Sequence, residues 1–217
     1  MTLKKTFHEL FGDDSDDEPA PSPPIPTTFT EIPGLHLYRD HLPQPLLNRL
    51  LITVRAMLNP SEGRNQAMLF GNFPPDMSEL ADICKPLLPT SLRERQPAFN
   101  QSIVNHYEPG EGLAFHVDLM RFDDGIIVAS LIGTCMFQFR RTCTCRPGGS
   151  VGCTCGRVGV DSDIVSVFLS AGDIILLTGK SRYDWEHGIR ADLQDVHQGV
   201  TYTRVSRLSV TLRRHSE

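Results

Sequence analysis

The chain has 217 residues, of which 40% are hydrophobic, so it is long and apolar enough to form one domain with a buried core. A formal net charge of −5 excludes an overall basic character, and any contact with nucleic acid would need a local basic patch. The chain has no apolar run of membrane-spanning length and no apolar N-terminal segment typical of a secretory signal. We therefore expect a protein of the nucleus and/or cytoplasm that has no membrane association and keeps its six cysteines as thiols or metal ligands.

Residues 1–28 have the composition of a tail. An acidic run at residues 13–18 is followed by several prolines, and such a segment buries too little apolar surface to become ordered. We predict a disordered acidic and proline-rich tail over residues 1–28 and a folded domain over residues 29–217. The tail either only aids solubility or carries a docking segment for a protein partner at residues 8–12.

Two helices are predicted after the tail. Residues 43–58 carry apolar side chains at helical spacing, so one face of this helix can pack on a sheet. Residues 65–71 are expected to form a loop. Residues 77–88 predict the second helix, which Pro86 should end or kink early because proline interrupts the hydrogen bonding of a helix. Both helices are expected to support the fold rather than the site.

Short strands are predicted from residue 99 onward, with turns between them. The predicted strands are residues 100–107, 114–118, 125–131, 134–140, 164–169, 173–178 and 206–213. An all-β run behind two helices indicates an α+β chain that is mainly β. Two sheets of such strands make a jelly roll, with a site between the sheets and its ligands on the inward faces.

A cysteine-rich insertion at residues 143–155 separates two of these predicted strands. It has two Cys-x-Cys arms around a Pro-Gly-Gly turn signal, so a hairpin would bring four thiolates together. Four thiolates can hold a structural zinc ion, but common zinc fingers space their paired cysteines differently. Free thiols or disulfides in a loop are the alternative. The candidate zinc ligands are Cys143, Cys145, Cys153 and Cys155.

A His-x-Asp motif and a later histidine supply a candidate metal site. His116 and Asp118 are two residues apart, so on an extended segment their side chains point to the same side. His187 would be the third ligand. Two imidazoles and one carboxylate are the ligand set that holds non-haem Fe(II) and leaves positions open for a co-substrate and O2. Eight histidines give many chance combinations, so this motif alone is weak.

Two further stretches could bind a dicarboxylic acid beside such a metal. Asn105 and Tyr107 share one face of a predicted strand. Arg207, Ser209 and Arg213 share one face of another. Arginine binds carboxylates through two parallel hydrogen bonds, and asparagine and tyrosine add directional ones. A dicarboxylic acid that chelates the metal at one end and meets an arginine at the other would fit these groups.

Taken together, these motifs resemble those of AlkB-like 2-oxoglutarate- and Fe(II)-dependent dioxygenases. Asn-x-Tyr, His-x-Asp, His-Gly-Ile and a pair of arginines occur in the family's order across residues 105–213. The resemblance implies a double-stranded β-helix, which is a jelly roll, with Fe(II) on His116, Asp118 and His187. It implies that 2-oxoglutarate is bound by Asn105, Tyr107, Arg207, Ser209 and Arg213. Oxygenases of the prolyl-hydroxylase type place their basic residue near the position of His197 instead.

The resemblance also implies a reaction and a class of substrate. The reaction is oxidation of a nucleic-acid base, with succinate and CO2 as co-products: either demethylation of alkylated DNA or RNA, or hydroxylation of a modified tRNA nucleoside. Base-repair members carry an acid where this chain has Met120, whereas residues 178–189 are similar to the branch that acts on tRNA wobble uridines. Oxidation of a protein side chain and a non-catalytic binding or regulatory role are the alternatives.

The stretch before the distal histidine supplies candidate substrate contacts. Arg182, Tyr183 and Trp185 could form a rim for a base or a phosphate. The alternative is that Trp185 packs beside the distal metal ligand.

Overall fold

The structure, a computed structural model, describes residues 24–142 and 164–216. Most of the predicted tail and the four cysteines of the insertion lie outside the described residues. The docking segment and the zinc hairpin therefore stay predictions.

The described chain contains four α-helices. They are α1 (Gln44–Ala56), α2 (Pro75–Cys84), α3 (Thr90–Arg93) and α4 (Lys180–Tyr183). The first two correspond to the two predicted helices, and each has a proline in its first turn, where the missing N–H costs no helical hydrogen bond. Pro86 falls in the 3-10 turn Lys85–Leu87, so α2 ends before it, as predicted. All helices in the described ranges are too short or too polar to span a lipid bilayer.

Thirteen strands lie in the described residues. They are β1 (Thr27–Thr28), β2 (Leu35–Tyr38), β3 (Gln66–Phe70), β4 (Gln101–Tyr107), β5 (Leu113–His116), β6 (Ile126–Ile132), β7 (Cys135–Arg141), β8 (Val165–Leu169), β9 (Ile174–Leu177), β10 (Trp185–Ile189), β11 (Gln194–His197), β12 (Val200–Thr203) and β13 (Arg207–Arg213). A seven-stranded antiparallel sheet has the order β1-β2-β9-β6-β13-β4-β3, and a four-stranded one has the order β5-β10-β7-β8. The prediction of a mainly β chain with helices near its start is confirmed.

Two layers of buried apolar side chains hold these elements together. The first joins α1 and α2 to the outer face of the seven-stranded sheet and includes Leu50, Leu80 and Val210. The second lies between the seven-stranded and four-stranded sheets and includes Val128 and Phe137. The seven-stranded sheet is therefore covered on both faces, which is why β6, β9 and β13 are buried along almost their whole length.

Strand β13 shows how one sequence pattern serves both layers. Its apolar residues belong to the first layer: Leu208, Val210 and Leu212. Its polar residues line a cavity between the two sheets: Arg207, Ser209, Thr211 and Arg213. Side chains of a strand alternate between its faces, so the strand packs on the helices with one face and faces the cavity with the other. The predicted alternation over this segment is confirmed.

Two segments differ from their predictions, and strand β10, which carries His187, was not among the predicted strands. Residues 65–71 were expected to form a loop, but Gln66–Phe70 form the edge strand β3, which pairs with β4. The tail was expected to reach residue 28, but Thr27 and Thr28 already pair with β2. In both places the partner strand supplies the backbone hydrogen bonds, and tertiary pairing of this kind overrides local propensity.

The β11–β12 hairpin, which was not predicted, is fixed by a buried ion pair. Arg204 donates to both carboxylate oxygens of Asp195 at 2.7 Å, and a third hydrogen bond goes to the carbonyl of Arg190. Both charged side chains are buried. This pair anchors the hairpin and does not line the cavity between the sheets.

Candidate metal and co-substrate site

The three predicted metal ligands meet between the two sheets. His116 ends β5 and lies directly opposite His187 of β10 in the antiparallel register. Asp118 follows shortly after β5. One ligand atom from each of these residues lies within 4.8 Å of the other two. The three side chains can therefore converge on one divalent ion.

Both histidines are prepared to act as ligands through one ring nitrogen. Nδ1 of His116 lies 2.9 Å from the carbonyl of Ala114. Donation of the Nδ1 proton to that carbonyl leaves Nε2 with its lone pair free for a metal. Burial lowers the pKa of His187 to about 4. This imidazole is therefore neutral near neutral pH, which is the form that binds metals.

The two oxygens of Asp118 have different partners. Oδ1 accepts a hydrogen bond from Arg213 at 2.6 Å, and Oδ2 lies 3.6 Å from Nε2 of His187. Burial raises the pKa of Asp118, but the electrostatic interactions with His187, Arg213 and His116 outweigh it, and the pKa lies below its ordinary value. Asp118 is thus an ionised carboxylate that presents one oxygen to the metal position.

Arg213 is held in place by two contacts besides Asp118. Its Nε donates to Oε1 of Gln101 at 2.7 Å, and its guanidinium carbon lies 3.8 Å from the centre of the Phe122 ring. Gln101 is the cross-strand neighbour of Arg213 on β4 and is fully buried. Sequence reasoning did not identify Gln101 as part of the site, although it shares the strand face of Asn105 and Tyr107.

The other end of the cavity contains a buried cation that forms no ion pair with the described residues. Arg207 donates to the hydroxyls of Ser209 at 2.9 Å and Ser130 at 3.4 Å. Its Nε has no hydrogen-bond partner among the described residues, although it is buried. An unpaired buried guanidinium carries a large desolvation cost. A ligand carboxylate at this end would supply the missing charge and acceptor.

Uncharged polar groups line the cavity between its two ends. Tyr107 is the cross-strand neighbour of Arg207, and Asn105 is that of Ser209. Burial raises the pKa of Tyr107, so its hydroxyl stays protonated and can donate a hydrogen bond. Oδ1 of Asn105 accepts from Nε2 of Gln66 at 2.7 Å. That contact leaves the amide nitrogen of Asn105 free to donate to a ligand.

Gln66 was also missed by sequence reasoning, because it lies in the segment predicted as a loop. Its strand, β3, has the alternating pattern of exposed and half-buried residues expected of an edge strand. That alternation, over Gln66, Met68 and Phe70, is the signal that could have identified it.

Two of the four candidate substrate residues are buried and two are exposed to solvent. Arg182 and Trp185 are buried, so the expectation that they form an exposed rim is corrected. Arg182 donates to backbone carbonyls instead, and Trp185 belongs to the apolar layer between the sheets. Tyr183 is partly exposed, and Met120, in the loop after Asp118, is 67% exposed. Met120 and Tyr183 are therefore the two that can reach a large substrate.

Comparison with known proteins gives one family match that covers most of the chain. The family model described as the 2OG-Fe(II) oxygenase superfamily matches residues 39–213. The tRNA (carboxymethyluridine(34)-5-O)-methyltransferase ALKBH8 of Macaca fascicularis is 32% identical over 51% of this chain and 14% of that protein. The alkylated DNA repair protein ALKBH8 homolog of Arabidopsis thaliana is 33% identical over 53% of this chain and 34% of that protein. This chain thus spans about a third or less of the length of these relatives.

Solved structures share the fold at low sequence identity. The structure of OsALKBH1 covers 88% of this chain and 100% of its own, with a TM-score of 0.57 and 16% identity. A prolyl-4-hydroxylase of Pseudomonas putida covers 85% of this chain and 93% of its own, with a TM-score of 0.53 and 13% identity. At such identities the likeness shows the fold alone. The predicted jelly roll is confirmed.

Proposed function

The chain belongs to the 2OG-Fe(II) oxygenase superfamily, and from that premise we propose that it oxidises a nucleic-acid base with Fe(II), 2-oxoglutarate and O2. The AlkB-like character predicted from the sequence is confirmed by the family match and the similarity to the ALKBH8 proteins. The nucleic-acid substrate is the further step that we propose.

The arrangement of charges along the cavity carries this proposal. The triad of His116, Asp118 and His187 lies at one end, and Arg207, whose Nε has no partner among the described residues, lies at the other. Two imidazoles and an ionised carboxylate suit Fe(II). The Arg207 guanidinium suits the far carboxylate of 2-oxoglutarate through paired hydrogen bonds. Asn105 and Tyr107 would donate to the oxygens between these ends.

Bound Fe(II) and 2-oxoglutarate supply the oxidising power: 2-oxoglutarate, O2 and a substrate C–H group give succinate, CO2 and a C–OH group. One oxygen atom of O2 enters succinate and the other enters the substrate. On an N-methyl group the hydroxymethyl product breaks its C–N bond, and formaldehyde leaves while the nitrogen keeps a proton. The chain's own part is to hold the acidic ligand ionised, to orient the co-substrate between Arg207 and the triad, and to keep water out.

The exposed side chains at the rim of the cavity suit a flat and largely apolar substrate. Gln66 lines the cavity, and Met68 and Phe70 follow on the same face of edge strand β3, where they are 53% and 60% exposed. Met120 adds a second exposed apolar side chain after Asp118. Exposed aromatic and apolar side chains beside a site suit the stacking of an unpaired base. The names of the ALKBH8 relatives, which refer to tRNA and to alkylated DNA, support the same substrate class.

Mass spectrometry of candidate substrates tests this function. Total tRNA and a panel of methylated DNA and RNA oligonucleotides are incubated with the protein, Fe(II), ascorbate and 2-oxoglutarate, with His187→Ala as the control. We expect either loss of a methyl group or gain of one oxygen on a base, together with succinate, in the wild type alone. Succinate without any change to nucleic acid would contradict a nucleic-acid substrate and leave the oxygenase activity intact. Absence of succinate would contradict the oxygenase activity itself.

A further inference from the structure

The tight turn formed by residues 118–122 links the metal site to the cavity rim. It begins at the ligand Asp118, and it is closed by a hydrogen bond from the amide of Phe122 to the carbonyl of Leu119 at 3.0 Å. Leu119 and Met120 are exposed between these points. The position of the Asp118 carboxylate therefore depends on what holds this turn.

Three carbonyls of the turn are bound by a single side chain. Arg182 donates from one terminal nitrogen to the carbonyl of Asp118 at 3.0 Å. The other terminal nitrogen donates to the carbonyls of Leu119 at 2.9 Å and Phe122 at 2.8 Å. The Arg182 side chain is 2% exposed. These three carbonyl dipoles stabilise its charge, while its Nε has no hydrogen-bond partner among the described residues.

This contact requires an arginine for a physical reason. Three carbonyl oxygens that point at one buried place would each carry a desolvation cost if they were left unpaired. The planar guanidinium offers several N–H groups at fixed angles, so one side chain can bind all three. A lysine ammonium carries its donors on one nitrogen, so it cannot occupy the two positions from which the terminal nitrogens of Arg182 bind these oxygens.

We propose that Arg182 is a positioning residue that sets the Asp118 ligand for the metal. It fixes the backbone that carries Asp118, and it fixes Phe122, whose ring lies under the guanidinium of Arg213. Arg213 in turn holds Oδ1 of Asp118. Arg182 lies on α4, directly before the strand of His187, so it connects the ligands of two separate segments. Arg182 would therefore act on the metal site through Asp118, and not at a substrate rim as the sequence suggested.

A pair of matched variants separates positioning from general stability. Arg182→Lys removes the fork at the turn, and Arg204→Lys removes another buried fork, from the pair with Asp195 in the β11–β12 hairpin. The affinity of the metal-free protein for Mn(II) is measured by titration, well below the melting temperature of each variant. We expect both variants to have a lower melting temperature than the wild type. Only Arg182→Lys should bind Mn(II) more weakly, by about 10-fold or more, because it loses the contacts that position a metal ligand.

Wild-type affinity in Arg182→Lys, or an equal loss in Arg204→Lys, would overturn the proposal. Hydrogen exchange of the metal-free wild type keeps the test valid if Arg182→Lys does not fold. The amide of Phe122 should be protected before any metal is added, and free exchange there would also overturn the proposal. This inference rests on the proposed metal site, and the experiment distinguishes a failure of the site from a failure of the inference. No Mn(II) binding by the wild type would contradict the metal site, and with it the role of Arg182.

Discussion

Strands β3 and β13 lie on either side of β4, and their side chains form common rows across the sheet. One row contains Met68, Ile103 and Thr211, and the next contains Phe70, Gln101 and Arg213. The β13 ends of these rows are buried, whereas Met68 and Phe70 at the β3 ends are largely exposed. One face of the sheet therefore extends from the buried metal and co-substrate site on β13 to the solvent-exposed edge strand β3.

The difference shows where the chain is constrained by its own folding. At the β13 end each polar group must have a partner, because burial makes an unpaired group costly. Arg213 is paired with Asp118 and Gln101, and Arg207 remains to be paired by a ligand. At the β3 end water can satisfy the backbone, and the side chains are free to suit a substrate. We therefore propose that the oxidation chemistry lies at the buried end and that the edge recognises the substrate.

The largest effect is expected from loss of a metal ligand at the buried end. His187→Ala removes one of three ligands, and succinate formation should fall at least about 1,000-fold, which corresponds to ~4 kcal/mol. Succinate formed from 2-oxoglutarate in the presence of Fe(II) measures this. Turnover that persisted at the wild-type rate in His187→Ala would remove the triad from the mechanism.

The pH dependence of stability tests the burial of the same histidine. In the unfolded chain His187 should titrate near its ordinary pKa of 6.5, whereas in the folded protein burial lowers the pKa to about 4. Between these values the unfolded state binds more protons, so the free energy of unfolding falls as the pH falls from 6.5 towards 4. This contribution is about 3 kcal/mol for a shift of this size.

Chemical denaturation of the metal-free protein at several pH values provides the measurement, with His187→Gln as the control. Burial also lowers the pKa values of His36 and His41, but both variants share those residues. The difference between the variants therefore isolates His187. Parallel pH profiles for the two would show that this imidazole is not buried in its neutral form.

Arg207 tests whether the buried end binds a dicarboxylate. Arg207→Lys keeps the charge but loses the paired donors, so the KM for 2-oxoglutarate should rise about 10- to 100-fold while kcat changes less. The matched control is Arg39→Lys, because Arg39 forms a half-exposed ion pair with Asp173 away from the cavity. An unchanged KM in Arg207→Lys would place the co-substrate elsewhere.

The smallest effect is expected at the edge, from Phe70→Ser. Loss of one stacking side chain should lower kcat/KM for the nucleic-acid substrate by about 5-fold or more. Succinate formed without that substrate should be unchanged, because the buried end is intact. Ile52→Ser on α1, also an exposed apolar residue, is the control. A change in the KM for 2-oxoglutarate in Phe70→Ser would contradict the proposal that the edge strand acts on the substrate alone.

The same division explains how far the sequence could predict the structure. The alternation of β13 was sufficient to place its buried groups, since strand geometry fixes which side chains share a face. His116 and Asp118 also converge as their motif predicted, although β5 ends at His116 and Asp118 lies outside the strand. Edge strand β3 was missed because its pairing with β4 is a tertiary property, and with it the contact of Gln66 with Asn105 was missed. Arg182 was expected at the rim, because the sequence does not show that a charged side chain will be buried against three backbone carbonyls.

The binding of 2-oxoglutarate to the Fe(II)-loaded protein without O2 tests the central claim most directly. A 2-oxo acid that chelates Fe(II) gives a visible charge-transfer absorption, which can be titrated. We predict a saturable band in the wild type that is absent in His187→Ala and needs much more 2-oxoglutarate in Arg207→Lys. Absence of the band in the wild type, or equal titrations in wild type and Arg207→Lys, would contradict a cavity that holds the metal at one end and the far carboxylate at the other.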